Sequence, residues 1–234
     1  MAKTLAIMQP YFLPYMGYWQ LINAVDEFVI YDTIQYTKKG WINRNRFLMN
    51  GTDEVFSLPL KKDSDFLFVR DRELAPSFER DKLIRQLKGA YQKAPYFSDH
   101  FPIIEDIINF SDNNLFTYVE NSIHRICQFL DIKTPLIKSS DIQTGHEKMK
   151  GTDKVIDICQ SQNAANYMNP IGGLDLYNKN TFQDAGIHLS FLRSTPLDYQ
   201  CFGAPCLPHM SILDVMMFCP KNDITSYLTR FEKE

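Results

Sequence analysis

No apolar run in this chain approaches the roughly 18 residues that a membrane-spanning helix needs. The first, Leu5 to Met8, is broken after four residues by Gln9 and Pro10, which also makes it too short for the apolar core of a secretory leader. Excess charge of either sign is missing as well. A net charge of −3 leaves no overall basic footprint for nucleic acid or an anionic membrane surface. Cysteine is sparse and unpatterned. Cys127, Cys159, Cys201, Cys206 and Cys219 contain no CxxC pair, and Cys201 and Cys206, the closest two, have no histidine pair nearby to complete a zinc site. The expectation is therefore reduced, mostly buried thiols in a cytoplasmic protein with no resident metal. A glycine-rich GxGxxG string is absent, and so is any recognisable Ser-His-Asp or Cys-His spacing. The one DxD-spaced pair, Asp63 and Asp65, falls in a polar turn and reads as solvated.

What is present is an ordinary globular composition, 44% hydrophobic and 23% charged over 234 residues, enough to bury a core without staples. Residues 1–234 read as one domain. Leu5 to Met8 reads as a strand, Tyr15 to Ala24 as a helix and Glu27 to Tyr31 as a second strand. Strand, helix and strand within about 30 residues make a βαβ unit and favour parallel pairing. Val55 to Pro59 and Leu67 to Leu74 alternate in part, as if paired around Lys61 to Asp65. Helices are expected at Phe78 to Tyr91, with Pro76-Ser77 as its cap, at Pro102 to Phe110 and at Leu115 to Leu130. Strands at Pro135 to Lys138, Asn166 to Met168 and His188 to Phe191 then alternate with helices at Thr152 to Gln162 and Thr181 to Ala185. Ile212 to Phe218 and Ile224 to Phe231 close the chain as helices. The fold class is α/β, a Rossmann-like, mostly parallel sheet with a helical insertion at about 76–131.

Three clusters carry the chemistry. Gln9, Pro10, Pro14, Gly17 and Tyr18 follow the first strand, where open α/β sheets bind ligands and where a helix N-terminus faces them. Asp32 follows the second strand and is positioned to act as a general base, a hydroxyl-binding carboxylate, a metal ligand or, more mundanely, a helix or turn cap. The loop after it holds Gln35, Tyr36, Lys38, Lys39, Trp41, Asn43, Arg44, Asn45 and Arg46. A solvated basic loop would not need an interleaved tryptophan and several amides, so this one reads as a grip on an anionic ligand, with Tyr36 or Trp41 stacking on a base or sugar. The second cluster is Tyr167 to Gly173 with Tyr177. There Gly172-Gly173 serves either a close backbone approach to a ligand or simply a tight turn. In the third, Ser211 and Asp214 resemble a capping box on a helix. His124 and His146 are expected in structural or surface roles, and Met216 to Phe218 would suit an interface or a core.

These clusters together resemble the WbqC-like family, through QPYFLPYMGY at 9–18, Asp32 with Gln35-Tyr36, WINRN at 41–45, AYQKAPYF at 90–97 and Ser139-Ser140. Ile158-Cys159, Tyr167 with Gly172-Gly173 and Tyr177, Phe182, Gly186-Ile187, and Ser211-Ile212 with Asp214 extend the match over nearly the whole chain. The resemblance implies a role near bacterial O-antigen and other surface polysaccharides, hence an enzyme modifying a nucleotide-activated amino sugar, a dTDP- or UDP-amino sugar. The leading expectation is transfer of an acyl or aminoacyl group to the sugar amine. Asp32 would take the ammonium proton, with Gln9 and Tyr18 beside it as catalytic residues. Gln35, Tyr36, Lys38, Trp41, Asn43, Arg44, Asn45, Tyr167, Gly172, Gly173 and Tyr177 would bind substrate. The donor would be an acyl donor such as a coenzyme A thioester, or activation would come from ATP and magnesium. A homodimer is compatible with this. Two alternatives stay open: an ATP-dependent nucleotidyltransferase or ligase, and a non-catalytic partner of a polysaccharide-biosynthesis enzyme. Against adenylyl transfer, the His-x-Gly-His of Rossmann-like nucleotidyltransferases is replaced by Pro14-Tyr15-Met16-Gly17-Tyr18, which supplies no imidazole for the transferring phosphate.

Overall fold

The computed structural model describes residues 2–143, 145 and 149–234, so the expectation for His146 lies outside the described residues. The chain runs β1 (Thr4–Met8), α1 (Met16–Asn23), β2 (Glu27–Ile30), β3 (Arg44–Met49), β4 (Thr52–Ser57), α2 (Arg80–Tyr91), α3 (Phe97–Ile108), α4 (Leu115–Phe129) and β5 (Leu136–Lys138). It continues through α5 (Gly151–Ser161), β6 (Asn166–Pro170), α6 (Lys179–Asp184), β7 (His188–Ser194), β8 (Gln200–Cys201), β9 (Ala204–Pro205), α7 (Ile212–Phe218), α8 (Lys221–Tyr227) and β10 (Phe231–Lys233).

Six strands form the central sheet in the order β10-β7-β6-β1-β2-β5, parallel throughout except for the antiparallel edge strand β10. The central strands β1 and β2 read as short apolar runs because both of their faces are covered. Successive side chains alternate between faces. Leu5, Ile7 and Val29 pack with Val155, Ile158, Phe182, Leu189 and Phe191 under α5 and α6. Ala6, Phe28 and Ile30 face the larger core, built with α1, the insertion α2 to α4, and α7 and α8. The result is a three-layer α/β architecture with the Rossmann-like strand order.

Several sequence expectations need correction. Val55 to Pro59 does not form a hairpin with Leu67 to Leu74. Residues 52–57 pair instead with Arg44–Met49, while 59–61 meet 73–75 through the Leu60–Leu74 bridge and the bonds Ala75 N–H to Pro59 O and Lys61 N–H to Glu73 O, and Val69–Asp71 is a short 3-10 turn. The turn that closes β3 on β4 is Asn50-Gly51, both at positive φ (52° and 83°), the signature of a tight hairpin. Ser77 does not cap α2, which starts at Arg80 behind Glu79 with no side-chain cap bond. Helix α3 begins at Phe97 and carries Pro102 inside it. The last helix stops at Tyr227, and Phe231–Lys233 is a strand on β7. Asp214 does not close a capping box. Ser211 accepts from Leu213 N–H, whereas the Asp214 carboxylate is buried and takes the hydroxyls of Tyr91 (2.8 Å) and Tyr199 (3.0 Å). Cys201 and Cys206 are not free thiols but are joined as a disulfide, because the Phe202-Gly203 turn between β8 and β9 folds the chain back and leaves their Cα atoms 5.1 Å apart. Met216, Met217 and Phe218 are buried within the chain, so they serve the core rather than an interface.

Candidate functional site

From β1 the chain moves outward to β2 and β5 on one side, then returns to β6 and moves outward to β7 and β10 on the other. The direction reverses between β1 and β6, and the carboxyl edge of those strands is where open α/β sheets hold ligands in a crevice. Gln9 follows β1, Tyr31 and Asp32 follow β2, Ser139 follows β5 and Ile171 follows β6.

Asp32 is almost wholly buried. Its Oδ1 accepts the Ser139 hydroxyl at 2.7 Å and the Ser140 N–H at 2.9 Å, which fixes the carboxylate plane. Ser139 Oγ also meets Thr33 Oγ1 at 2.7 Å and accepts Thr33 N–H at 3.2 Å, so β2 and β5 are stapled together just beyond their ends. Lys154 of α5 is buried in the same place. Its Nζ donates to the Thr33 carbonyl at 2.7 Å and lies 4.9 Å from the centre of the Tyr31 ring. Half-buried Glu120 of α4 completes the acidic side. Burial raises its pKa, Lys138 at 3.9 Å opposes that, and Asp32 and Asp141 add to it.

On the other side of the reversal, Asn169 stands one residue before the end of β6, and its Oδ1 accepts the Tyr167 hydroxyl at 3.2 Å. Tyr167 is fully buried, stacked on Phe182 and edge-on to Tyr177. A Cβ on Gly173 would meet the Asn169 amide nitrogen at 1.8 Å, so this glycine is required by the close packing of Asn169 beneath it. Gly172 is exposed, with open space where its Cβ would be. Tyr31 joins the two halves. Burial raises its hydroxyl pKa, and neighbouring Tyr177 raises it further. Gln9 sits just past the carboxyl end of β1, its Oε1 accepting the Tyr11 hydroxyl at 3.3 Å. Tyr18 is buried behind it and donates to the Gln9 carbonyl at 3.0 Å; burial drives its pKa well up, which suits a buttress rather than a proton carrier.

The loop from 33 to 43 runs over the carboxyl edge, laddered onto residues 67–70 by Tyr36 N–H to Leu67 O and Val69 N–H to Ile34 O, and leads into β3, which carries Arg44, Asn45 and Arg46. Exposed Gln35 bridges to Phe68. The loop's polar residues divide between two cavities. One, of about 380 Å³, is lined by Tyr36, Lys38, Asn43, Lys62 and Arg72 among others. The other, of about 230 Å³, lies between Tyr11, Tyr15, Trp41, Asn45, Arg46 and His209. Asn43 spends its amide on the Leu58 carbonyl and the Tyr36 hydroxyl. Asn45 holds the Phe12 and Leu13 carbonyls at 3.1 and 2.7 Å. Arg44 is turned onto the carbonyls of Gly40 (2.8 Å) and Lys39, with its guanidinium 5.3 Å from the Trp41 ring centre. Lys38 pairs with Asp65 at the surface.

Sequence reasoning missed Lys154, Ser139 as an Asp32 partner, and Arg72, which is buried over the Tyr36 ring at 4.9 Å with its Nε unpartnered among the described residues. The signal for Lys154 was available. It occupies a position on the buried stripe of α5 with Val155, Ile158 and Cys159, where a lysine has no reason to be unless it is held.

The WbqC-like protein family matches residues 9–226, and the chain belongs to that family. An uncharacterized protein of Mycobacterium tuberculosis is 27% identical over 217 residues, covering 92% of this chain and 93% of that protein. No solved structure matches.

Proposed function

We propose that this WbqC-like protein is a cytoplasmic enzyme that acylates or aminoacylates the amine of a nucleotide-activated sugar destined for surface polysaccharide. The observation that carries the reading is the buried, doubly hydrogen-bonded Asp32 just past the end of β2, at the same carboxyl edge of the sheet as Gln9 after β1 and Asn169 of β6. An amine at neutral pH is an ammonium and must lose a proton before it attacks a carbonyl. A carboxylate fixed in place takes that proton. The freed amine then forms a C–N bond to the donor's acyl carbon as the C–S bond of a thioester, or the C–O bond of an ATP-activated acyl group, breaks.

In this reading Lys154 and Ser139 position the Asp32 loop, and Gln9 orients the sugar. Tyr18 and Tyr167 support Gln9 and Asn169, while Gly172, Gly173 and Tyr177 line the sugar's other side. Lys38, with Lys62 and Arg72, faces the diphosphate in the larger cavity. Trp41, 40% exposed, offers its ring to the base. Gln35, Asn43, Arg44 and Asn45 hold the loop that carries these groups. The strand order shared with nucleotide-binding folds favours one second reading, nucleotidyl transfer or ligation using ATP and magnesium.

A thermal-shift screen separates the two. At 100 times its dissociation constant a ligand stabilises by about 2.7 kcal/mol. The expected result is a rise with a dTDP- or UDP-amino sugar that disappears in a Lys38→Glu, Lys62→Glu double variant, both positions being exposed. A rise with ATP and magnesium alone would move the assignment to nucleotidyl transfer. No rise with any of these, or with coenzyme A thioesters, would sink the small-molecule site and leave a partner protein.

A further inference from the structure

We infer that Cys201 and Cys206 form a redox-active pair that exchanges with external thiols, with Cys206 as the sulfur attacked and Asp214 as the proton relay for Cys201. The two sulfurs are not equivalent. Cys201 is 5% exposed, and its Sγ lies 3.4 Å from Asp214 Oδ2. Cys206 is half-buried and lines a cavity of about 230 Å³ with Tyr199, Leu207, His209 and Met210, so a small thiol can reach it. The Cys201, Cys206 and Asp214 donor atoms all fall within 4.8 Å of one another. The hairpin holds them there. Phe202 and Gly203 are both left-handed (φ 52° and 85°), and the Cys206 N–H bonds the Tyr199 carbonyl across it.

The asymmetry sets the order of events. In thiol–disulfide exchange a thiolate attacks one sulfur and the other leaves with the electron pair, and access decides which is attacked. A thiolate from an external dithiol attacks Cys206 Sγ and the S–S bond breaks. The Cys201 sulfur takes the electron pair and a proton from the Asp214 carboxyl, which regains one from solvent. The second thiol of the reductant, deprotonated, then displaces Cys206 from the mixed disulfide. Two electrons and two protons have passed to the cysteines, and the reductant has become a disulfide. In reverse, the Asp214 carboxylate accepts the Cys201 proton as that sulfur attacks.

Asp214 suits the task because burial raises its affinity for a proton, opposed by the hydroxyl bonds of Tyr91 and Tyr199. The titratable groups facing it are Tyr91 from α2, Tyr199 and Cys201 from the hairpin, and Cys219 beyond α7. Every member of this cluster lies outside the Asp32 crevice, so the inference stands apart from the sugar-modifying reading.

The test equilibrates the native full-length protein with mixtures of reduced and oxidised dithiothreitol, then counts alkylated cysteines by mass. A reversible two-thiol transition without loss of the far-ultraviolet circular dichroism is expected, with Cys201→Ser trapping a mixed disulfide on Cys206. Asp214→Asn should slow reduction by on the order of 100-fold. Should that variant unfold, Tyr199→Phe removes one bond that lowers the Asp214 pKa, and the pH limb of the reduction rate should move to higher pH. A bond that survives excess dithiol until the protein is denatured would overturn the exchange role, as would a pair that stays reduced in oxidised buffer. An unmoved rate and pH profile in the folded variants would overturn the part given to Asp214.

Discussion

Leu13 has a left-handed backbone (φ 47°), a conformation that costs a bulky residue energy unless its surroundings hold it. Two side chains do so. Asn45 Nδ2 and Ser211 Oγ both reach the Leu13 carbonyl at 2.7 Å. This explains why the FLP turn after β1, the amide in WINRN and the serine before α7 occur together in one chain: they form one joint beneath the crevice. Replacing Asn45 by Ala would leave the buried carbonyls of Phe12 and Leu13 without that donor. The expected loss, read from urea unfolding, is about 1–3 kcal/mol. A loss below about 0.5 kcal/mol would show that the joint does not depend on Asn45. At this scale the sequence was a partial guide. Asp32 stood out as an acid directly after a buried strand, and the structure gives it the turn-capping bonds to Ser139 and Ser140 that the sequence also allowed. Asn43 and Asn45 looked like ligand contacts because one sequence cannot show whether an amide turns toward solvent or toward its own backbone.

Among the elements, β1, α1 and β2 were legible because their apolar runs and the Gly17 and Pro14 punctuation are local signals. The β3–β4 hairpin was legible in principle from Asn50-Gly51, but the exposed strand β4 buries only Phe56 and so shows no two-residue alternation. The end of α8 was missed because the switch to an edge strand at Phe231 depends on pairing with Ser194, Arg193 and Leu192, far away in sequence. The turn after β6 gives the test at this scale. Gly173→Ala puts a methyl where the Asn169 amide lies, so Asn169 must leave its place under the crevice. The expected outcome is a folded protein, by circular dichroism, with nucleotide-sugar binding reduced at least about tenfold, or roughly 1.4 kcal/mol. Unchanged affinity would remove the β6 turn from the site.

Across the whole molecule, the Rossmann-like class was legible from the alternation of strands and helices, whereas the reversal of strand order was not. Pairing of β1 with β6 joins residues about 160 apart, and no local pattern encodes such a neighbour. Nor could the sequence show that the 33–43 loop and the 67–70 segment would ladder together and carry Tyr36, Lys38 and Arg72 into one cavity. Among the described residues no helix is long and apolar enough to cross a membrane. The central claim is that the carboxyl-edge crevice uses Asp32 to free a sugar amine for acylation. The most direct measurement is the rate at which purified protein, given a dTDP- or UDP-amino sugar and an acyl thioester or amino acid with ATP, forms the N-acylated sugar by mass spectrometry, compared with Asp32→Asn of matched fold. The account predicts turnover by the wild type and a fall in kcat of about 10²- to 10⁴-fold in the variant, with KM little changed. Equal rates in the two proteins, or binding with no product from any donor, would contradict it.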